Sequence, residues 1–374
     1  MNLVFFASDS KGLSSLESSI QEANGRGFET LEISSNTTQL NQNYQVTHKG
    51  KSKLSFPCQS LGFNLPFKPD WLIVNRERWN PESSIIKDFK KTFNCKVALI
   101  EPNAWALANC ESMLECHSRN RFIDLIDVFF CHSTHSKKLQ KSLGFNGNLF
   151  ITGNPKYDSN LKVSKDDLNR IKLKYDINND KENVLLFSLV SSGRLKINNI
   201  FKKIVQDKSK NYFYKPYPGE PFDPLFIKNF NPFFLENCKP ILEENEIWPF
   251  FHLCNTHIGG FSSIMHASLL LSKKIINLWS KCQQDPDDIF GVDNVFGNHQ
   301  GIEARPQMWM DVLGFKSKKD FHSFVTNYPM KQINKLNEKV INAFSCNKTL
   351  LNIFDDFNDS NACYRIINYL ENDF

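Results

Sequence analysis

A repeated order of elements constrains this chain more than any other feature. A short apolar run, a turn, a helical pattern and a further apolar run follow one another, and the series occurs twice. Residues 3–7 (LVFFA) end in Ser8-Asp9-Ser10-Lys11-Gly12, and Leu13, Leu16 and Ile20 then share a helical face up to about Gly25. Residues 28–33 form a second strand. Strand, helix, strand is the opening of a doubly wound α/β domain. The pattern resumes with strands at 71–74, 97–100, 128–131 and 149–152, separated by helical stretches at about 81–92, 118–127 and 133–143. Gly153-Asn154-Pro155 stops this first series. Residues 35–65, rich in Asn, Gln and Ser, read as irregular.

Residues 156–182 are lysine-rich and polar, as expected of a linker with a surface helix. The second series then runs through strands at 184–189, 212–214, 256–259 and 274–278. Helices are expected at about 195–207, 246–253 and 264–271, and two more in the tail from about 331 to 374. A length of 374 residues suits two domains of ordinary size.

Composition removes several functional classes. Lysine and arginine number 45 against 40 aspartates and glutamates, a net charge of +5 that is too small to argue for nucleic acid. The ten cysteines are dispersed and form no Cys-x-x-Cys pair, which speaks against zinc ribbons and redox dithiols. They read as reduced thiols of a cytoplasmic protein. No stretch reaches the roughly 18–20 apolar residues of a membrane span. The apolar run at residues 3–7 is too short for a signal peptide. The histidines show no His-x-x-x-His spacing, and there is no Walker loop, Gly-x-Ser-x-Gly elbow or Gly-x-Gly-x-x-Gly.

Three segments could carry chemistry. The first is Gly259-Gly260-Phe261-Ser262-Ser263, followed by His266, between a strand and a helix. Glycines let the backbone approach a phosphate, and free N–H groups at a helix start favour an anion. Ser262 and Ser263 add hydroxyl donors; either could equally be an N-cap. The second is Lys215-Pro216-Tyr217-Pro218 at the carboxyl end of a strand, where ligands of open α/β sheets bind. It is either a rigid turn or a nucleotide-facing loop. The third is the small-residue turn around Ser191 and Ser192 after the first strand of the second series. In the first series, Asp9, Glu77 and Glu101 follow the carboxyl ends of three strands. Any of them could take a proton from an acceptor hydroxyl, or serve in a cap or ion pair. Arg76 and Arg78 flank Glu77.

In this order the pieces resemble GT-B-fold glycosyltransferases of bacterial surface polysaccharide synthesis, in particular 3-deoxy-manno-octulosonic acid transferases and related capsule and sialyl transferases. Residues 69–81 (PDWLIVNRERWNP) look like the family's Glu-x-Glu-x-Trp-Pro region. Residues 150–158 (FITGNPKYD) look like its Thr-Gly-Asn segment at the domain junction. Lys215-Pro216-Tyr217-Pro218 looks like its Lys-Pro-His-Pro loop, and Ser262-Ser263 like the motif that receives the donor phosphate. The chain departs from the family at Tyr217, at His266 and at Asn75, which stands where a glutamate is usual.

The resemblance implies two facing Rossmann-like domains. An acceptor domain would span 1–155, a linker 156–180 and a nucleotide-sugar-binding domain 181–345. Residues 346–374 would form a helix that crosses back to the first domain. It further implies metal-independent sugar transfer from a nucleotide-activated donor, a CMP-sugar by analogy, to a lipopolysaccharide or capsule acceptor, with no cofactor. Asp9, Glu77 and Glu101 would be the candidate catalytic residues. Ser191, Ser192, Lys215, Pro216, Tyr217, Pro218, Gly260, Ser262, Ser263 and His266 would be the candidate nucleotide contacts. The expected partners are the nucleotide-sugar and the glycan, not nucleic acid. The expected location is the cytoplasm, with the lysines at 156–174 free to meet an anionic membrane face. Transfer of a polyol phosphate from a CDP-linked donor, nucleotide-sugar epimerisation, and non-catalytic binding of glycan or nucleotide remain alternatives.

Overall fold

The computed structural model describes residues 1–7, 10–35, 43–48, 53–57, 65–75, 80–100, 123–142, 145–177, 180–187, 201, 204–216, 237–259, 267–268, 270–271, 273–277 and 355–373. The chain divides into two units, Met1–Asn160 with Asn352–Phe374, and Leu161–Leu351.

The first unit is built on an eight-stranded sheet. Its strands are β1 (Asn2–Ala7), β2 (Glu29–Ser35), β3 (Asn43–His48), β4 (Lys53–Pro57), β5 (Trp71–Val74), β6 (Lys96–Ile100), β7 (Val128–Cys131) and β8 (Asn148–Ile151). The spatial order is β4-β3-β2-β1-β5-β6-β7-β8. Six strands, from β2 to β8 in that order, run parallel. Helices α1 (Ser10–Gly25), α2 (Asn80–Phe93) and α3 (Thr134–Ser142) connect them.

Strands buried on both faces need unbroken apolar sequence, and β1, β5 and β7 supply it. The period of two divides each strand between two cores. Leu3, Phe5 and Ala7 pack with Leu16, Ile20 and Ala23 of α1. Val4 and Phe6 pack with Ile85, Ile86 and Phe89 of α2. The C-terminal helix α6 (Ala362–Asn372) adds Ile366, Ile367 and Leu370 to the first of these cores. Asp158 accepts the Cys363 N–H at 2.6 Å and so holds the first turn of that helix.

Two expectations are corrected here. Residues 35–65 are not wholly irregular, because β3 and β4 form an antiparallel hairpin that extends the sheet beyond β2. The register places Val46 opposite Leu54 and Tyr44 opposite Phe56. This half-apolar alternation is the mark of an edge hairpin, and polar neighbours hide it in the sequence. The described part of 118–127 holds only a single tight turn at Ile123–Leu125. Asp127 ends it by accepting the Val97 N–H at 2.6 Å, which leads the chain into β7.

The second unit holds a five-stranded sheet of β9 (Glu182–Phe187), β10 (Lys210–Lys215), β11 (Cys238–Pro240), β12 (Thr256–Gly259) and β13 (Lys274–Asn277). Its order is β11-β10-β9-β12-β13, all parallel. Helix α4 (Lys165–Lys174) starts at Ser164, whose hydroxyl accepts the Asp167 N–H at 3.0 Å. Helix α5 (Ile247–Leu253) tolerates Pro249 because the first turn has no use for that N–H. Phe250 packs at 4.7 Å from Phe213 and 4.9 Å from Tyr175, ring centre to ring centre. α4, α5 and β10 thereby share one aromatic core. Each unit is thus a Rossmann-like α/β layer structure.

Candidate functional site

In each unit the chain leaves a first strand, builds outward on one side, and returns to the other side. The switch falls between β1 and β5 in the first unit and between β9 and β12 in the second. Open parallel sheets bind ligands at the carboxyl ends of the strands flanking such a switch.

In the second unit the register aligns that edge. Lys215 of β10 pairs with Phe187 of β9, Phe187 pairs with Gly259 of β12, and Gly259 pairs with Asn277 of β13. All three sequence segments singled out above therefore leave from one row of neighbouring strand ends. Lys215 is half-buried and Pro216 is buried. Ser191, Ser192, Tyr217, Pro218, Gly260, Ser262, Ser263 and His266 lie outside the described residues. The chain is described again at Ala267 and Ser268, both buried and helical.

His257 lies two residues before the end of β12, fully buried, and carries chemistry the motif reading passed over. Its Nδ1 lies 2.7 Å from Ser268 Oγ, which ties the strand to the helix beyond the glycine-serine segment. The rings of Phe187 and Phe251 meet it edge to face at 5.8 and 5.1 Å. Burial pushes the imidazole down to about 3, Lys273 adds to the effect, and the Cys254 carbonyl opposes it. His257 is therefore a neutral hydrogen-bonding brace, not a proton carrier, at ordinary pH.

In the first unit β1, β5 and β6 are consecutive neighbours, with Phe6 opposite Val74 and Val74 opposite Leu99. Asp9, Glu77 and Glu101 follow these three strands in sequence and lie outside the described residues. Asn75, directly after β5, is described and is 1% exposed. Its Nδ2 donates to Ser15 Oγ of α1 at 3.1 Å. Its Oδ1 has no hydrogen-bond partner among the described residues. The sequence marks Asn75 only as the neighbour of a carboxylate, since nothing in a sequence reports that an amide is buried and half-satisfied.

Among the described residues no group of three His, Cys, Asp or Glu side chains is placed to hold a metal ion. Among them, too, no helix is long and apolar enough to cross a membrane.

Two Rossmann-like units in one chain, each with a switch at the carboxyl edge of its parallel sheet, define the GT-B type of fold. Solved structures share it over the full length. A UDP-GlcNAc 2-epimerase from Neisseria meningitidis, bound to UDP-GlcNAc, matches with a TM-score of 0.60 at 13% identity over 100% of both chains. The S. aureus MnaA complex with UDP matches with a TM-score of 0.58 at 12% identity over 99% of this chain and 96% of that one. The wall teichoic acid polymerase TagF matches with a TM-score of 0.54 at 12% identity, over 100% of this chain and 88% of its own. At these identities the likeness is one of fold. No family model and no curated protein matches the chain.

Proposed function

We propose that this chain is a glycosyltransferase that moves a sugar from a nucleotide-activated donor to a cell-surface glycan. The observation that carries the reading is the aligned row of strand ends Lys215, Phe187 and Gly259. From it leave the lysine-proline loop, the turn with Ser191 and Ser192, and the glycine-serine segment. In this reading Ser262, Ser263 and the N–H groups of that segment hold the donor phosphate. Lys215 and Tyr217 flank the nucleotide, and Pro216 and Pro218 stiffen their loop. The acceptor hydroxyl attacks the anomeric carbon, the nucleotide leaves with the bonding electrons, and Asp9 takes the hydroxyl proton. Glu77 and Glu101 are the next candidates for that base.

The finer features rest on the resemblance to 3-deoxy-manno-octulosonic acid and sialyl transferases. They are a cytidine-nucleotide donor, independence of metal, a lipopolysaccharide or capsule acceptor, and work at the inner membrane face. The decisive assay offers CMP-, UDP- and CDP-linked donors with a panel of glycan acceptors and follows labelled sugar. Label should move to an acceptor from one donor class and persist in the presence of a chelator. No transfer from any donor would overturn the reading.

Nucleotide-sugar epimerisation is the second reading, because two of the solved structures above carry UDP or UDP-GlcNAc and one of them is a UDP-GlcNAc 2-epimerase. A donor whose sugar changes configuration with no acceptor present would decide for it.

A further inference from the structure

We infer that Asn75 is a hydroxyl-recognising residue, whose side-chain oxygen accepts a hydrogen bond from a sugar bound at the carboxyl ends of β1 and β5. The inference rests on the transferase reading for the identity of that sugar as the acceptor. Its physical basis is independent of that reading.

Asn75 is the first residue past β5, and β5 is hydrogen-bonded to β1 at the switch of the first sheet. Its amide is held from one side only. Nδ2 donates to Ser15 Oγ at 3.1 Å, which fixes the side chain against α1. Oδ1 is buried with no partner among the described residues, in a residue that is 1% exposed. Buried carbonyl oxygens almost always find a donor, and one left without it costs the fold stability. Such a cost persists where a site is built for a ligand.

Position separates Asn75 from the other unpartnered group on the same strand. Trp71 Nε1 is also buried without a partner, but Trp71 begins β5 at the amino edge of the sheet. Ligands of open α/β sheets bind at the opposite edge.

Chemistry then selects the ligand group. In the observed arrangement the free amide atom is an oxygen, which only accepts, so the group must donate, and an ionised phosphate or carboxylate cannot. If the amide is turned over, Ser15 donates to the oxygen and the free end becomes the NH2. A hydroxyl satisfies either arrangement because it both donates and accepts, whereas an ammonium or an anion satisfies only one. A neutral polyhydroxylated sugar fits what remains.

The test uses Asn75→Leu in the full chain, with Asn75→Ala read in its place should the leucine variant not fold. Methyl glycosides of the common hexoses and N-acetylhexosamines serve as probes, added without nucleotide and followed by thermal shift. Leucine removes the unpartnered acceptor and, with it, the bond to Ser15; the two changes oppose each other, so the ligand-free variant melts near the parent. The glycoside that stabilises the parent binds the variant about fivefold to tenfold more weakly, while nucleotide affinity is unchanged. In the transfer assay KM for the acceptor rises by the same factor and KM for the donor stays. A variant that binds glycoside like the parent overturns the inference. So does equal loss of nucleotide binding, or a parent that no glycoside stabilises. Glycoside binding that depends on Asn75 in a protein that transfers no sugar overturns the transferase reading alone. Transfer by the variant with the parent acceptor KM overturns the role of Asn75 alone.

Discussion

Gly153 holds a φ of +85°, and a Cβ there would lie 2.9 Å from Asp355 Oδ1. That carboxylate is buried and accepts the N–H groups of Asn154, Phe357 and Asn358, each at 2.9 Å. It pins the segment before α6 to the turn after β8. Burial raises its pKa, the three N–H donors oppose that, and burial prevails. Alanine at 153 meets both a left-handed backbone and a carboxylate that three bonds hold in place. We expect Gly153→Ala to cost about 2–3 kcal/mol. Thermal denaturation should show the first transition lowered by roughly 4–10 °C. An unchanged transition would mean that the carboxylate swings aside. The sequence reads Gly153-Asn154-Pro155 correctly as a stop, from local turn chemistry. It cannot reveal the partner 202 positions away, which is found only when the chain returns. Asn75 and His257 are hidden for a related reason. Their importance lies in burial and in partners on another element, Ser15 and Ser268.

Helices α4 and α5 show the same limit one scale up. The lysine-rich stretch at 156–182 reads as a linker with a surface helix, yet part of it clamps the second unit. Glu246, just before α5, has a side chain only 1% exposed. It accepts from Arg170 at 3.2 Å, Lys174 at 2.8 Å and the Tyr175 hydroxyl at 2.7 Å. Burial alone would raise the Glu246 pKa. The bonds from Lys174, Tyr175 and Arg170 outweigh it, and the net direction is down. A carboxyl whose folded pKa lies below its unfolded one stabilises above the unfolded value. That contribution disappears as pH falls through the folded value. Glu246→Gln should therefore cost about 2 kcal/mol at neutral pH, from weakened charge-assisted bonds to the half-exposed donors. In urea titrations the gap between parent and variant should close below the ordinary glutamate pKa of 4.5. A gap that is constant with pH would assign the loss to packing. The hairpin β3–β4 is the opposite case, where local pattern existed but was diluted. Tyr44, Val46 and His48 alternate with Asn43, Gln45 and Thr47, as a strand near a sheet edge does. The polar residues around them mask the period of two.

The alternation of strand and helix specifies the molecule as a whole most securely, because a parallel sheet needs apolar strands and a helical crossover between each pair. It gives two Rossmann-like units before any contact is known. The strand orders then add what a sequence cannot, namely which strand ends are neighbours. Asp9, Glu77 and Glu101 follow three adjacent strands in one unit. The loops with Lys215, Ser191 and Gly260 follow three adjacent strands in the other. Those orders turn the proposed division of labour into a separable prediction. The double change Ser262→Ala with Ser263→Ala removes two hydroxyl donors from a phosphate. It should weaken nucleotide binding about tenfold or more, since one hydrogen bond to a charged group is worth about 1.5–3 kcal/mol. Thermal stability without ligand should stay near that of the parent. Asp9→Asn leaves the nucleotide side untouched and removes the proton acceptor. It should keep parental nucleotide affinity by calorimetry and lose about 10²–10⁴-fold in turnover. The order within the carboxylates follows from their settings. Asp9 directly precedes α1 in sequence, whereas Arg76 and Arg78 adjoin Glu77 in sequence and offer it ion-pair partners. Parental turnover in Asp9→Asn beside a dead Glu77→Gln would move the base to Glu77. Loss of nucleotide affinity in Asp9→Asn would show that the two functions are not divided between the units at all.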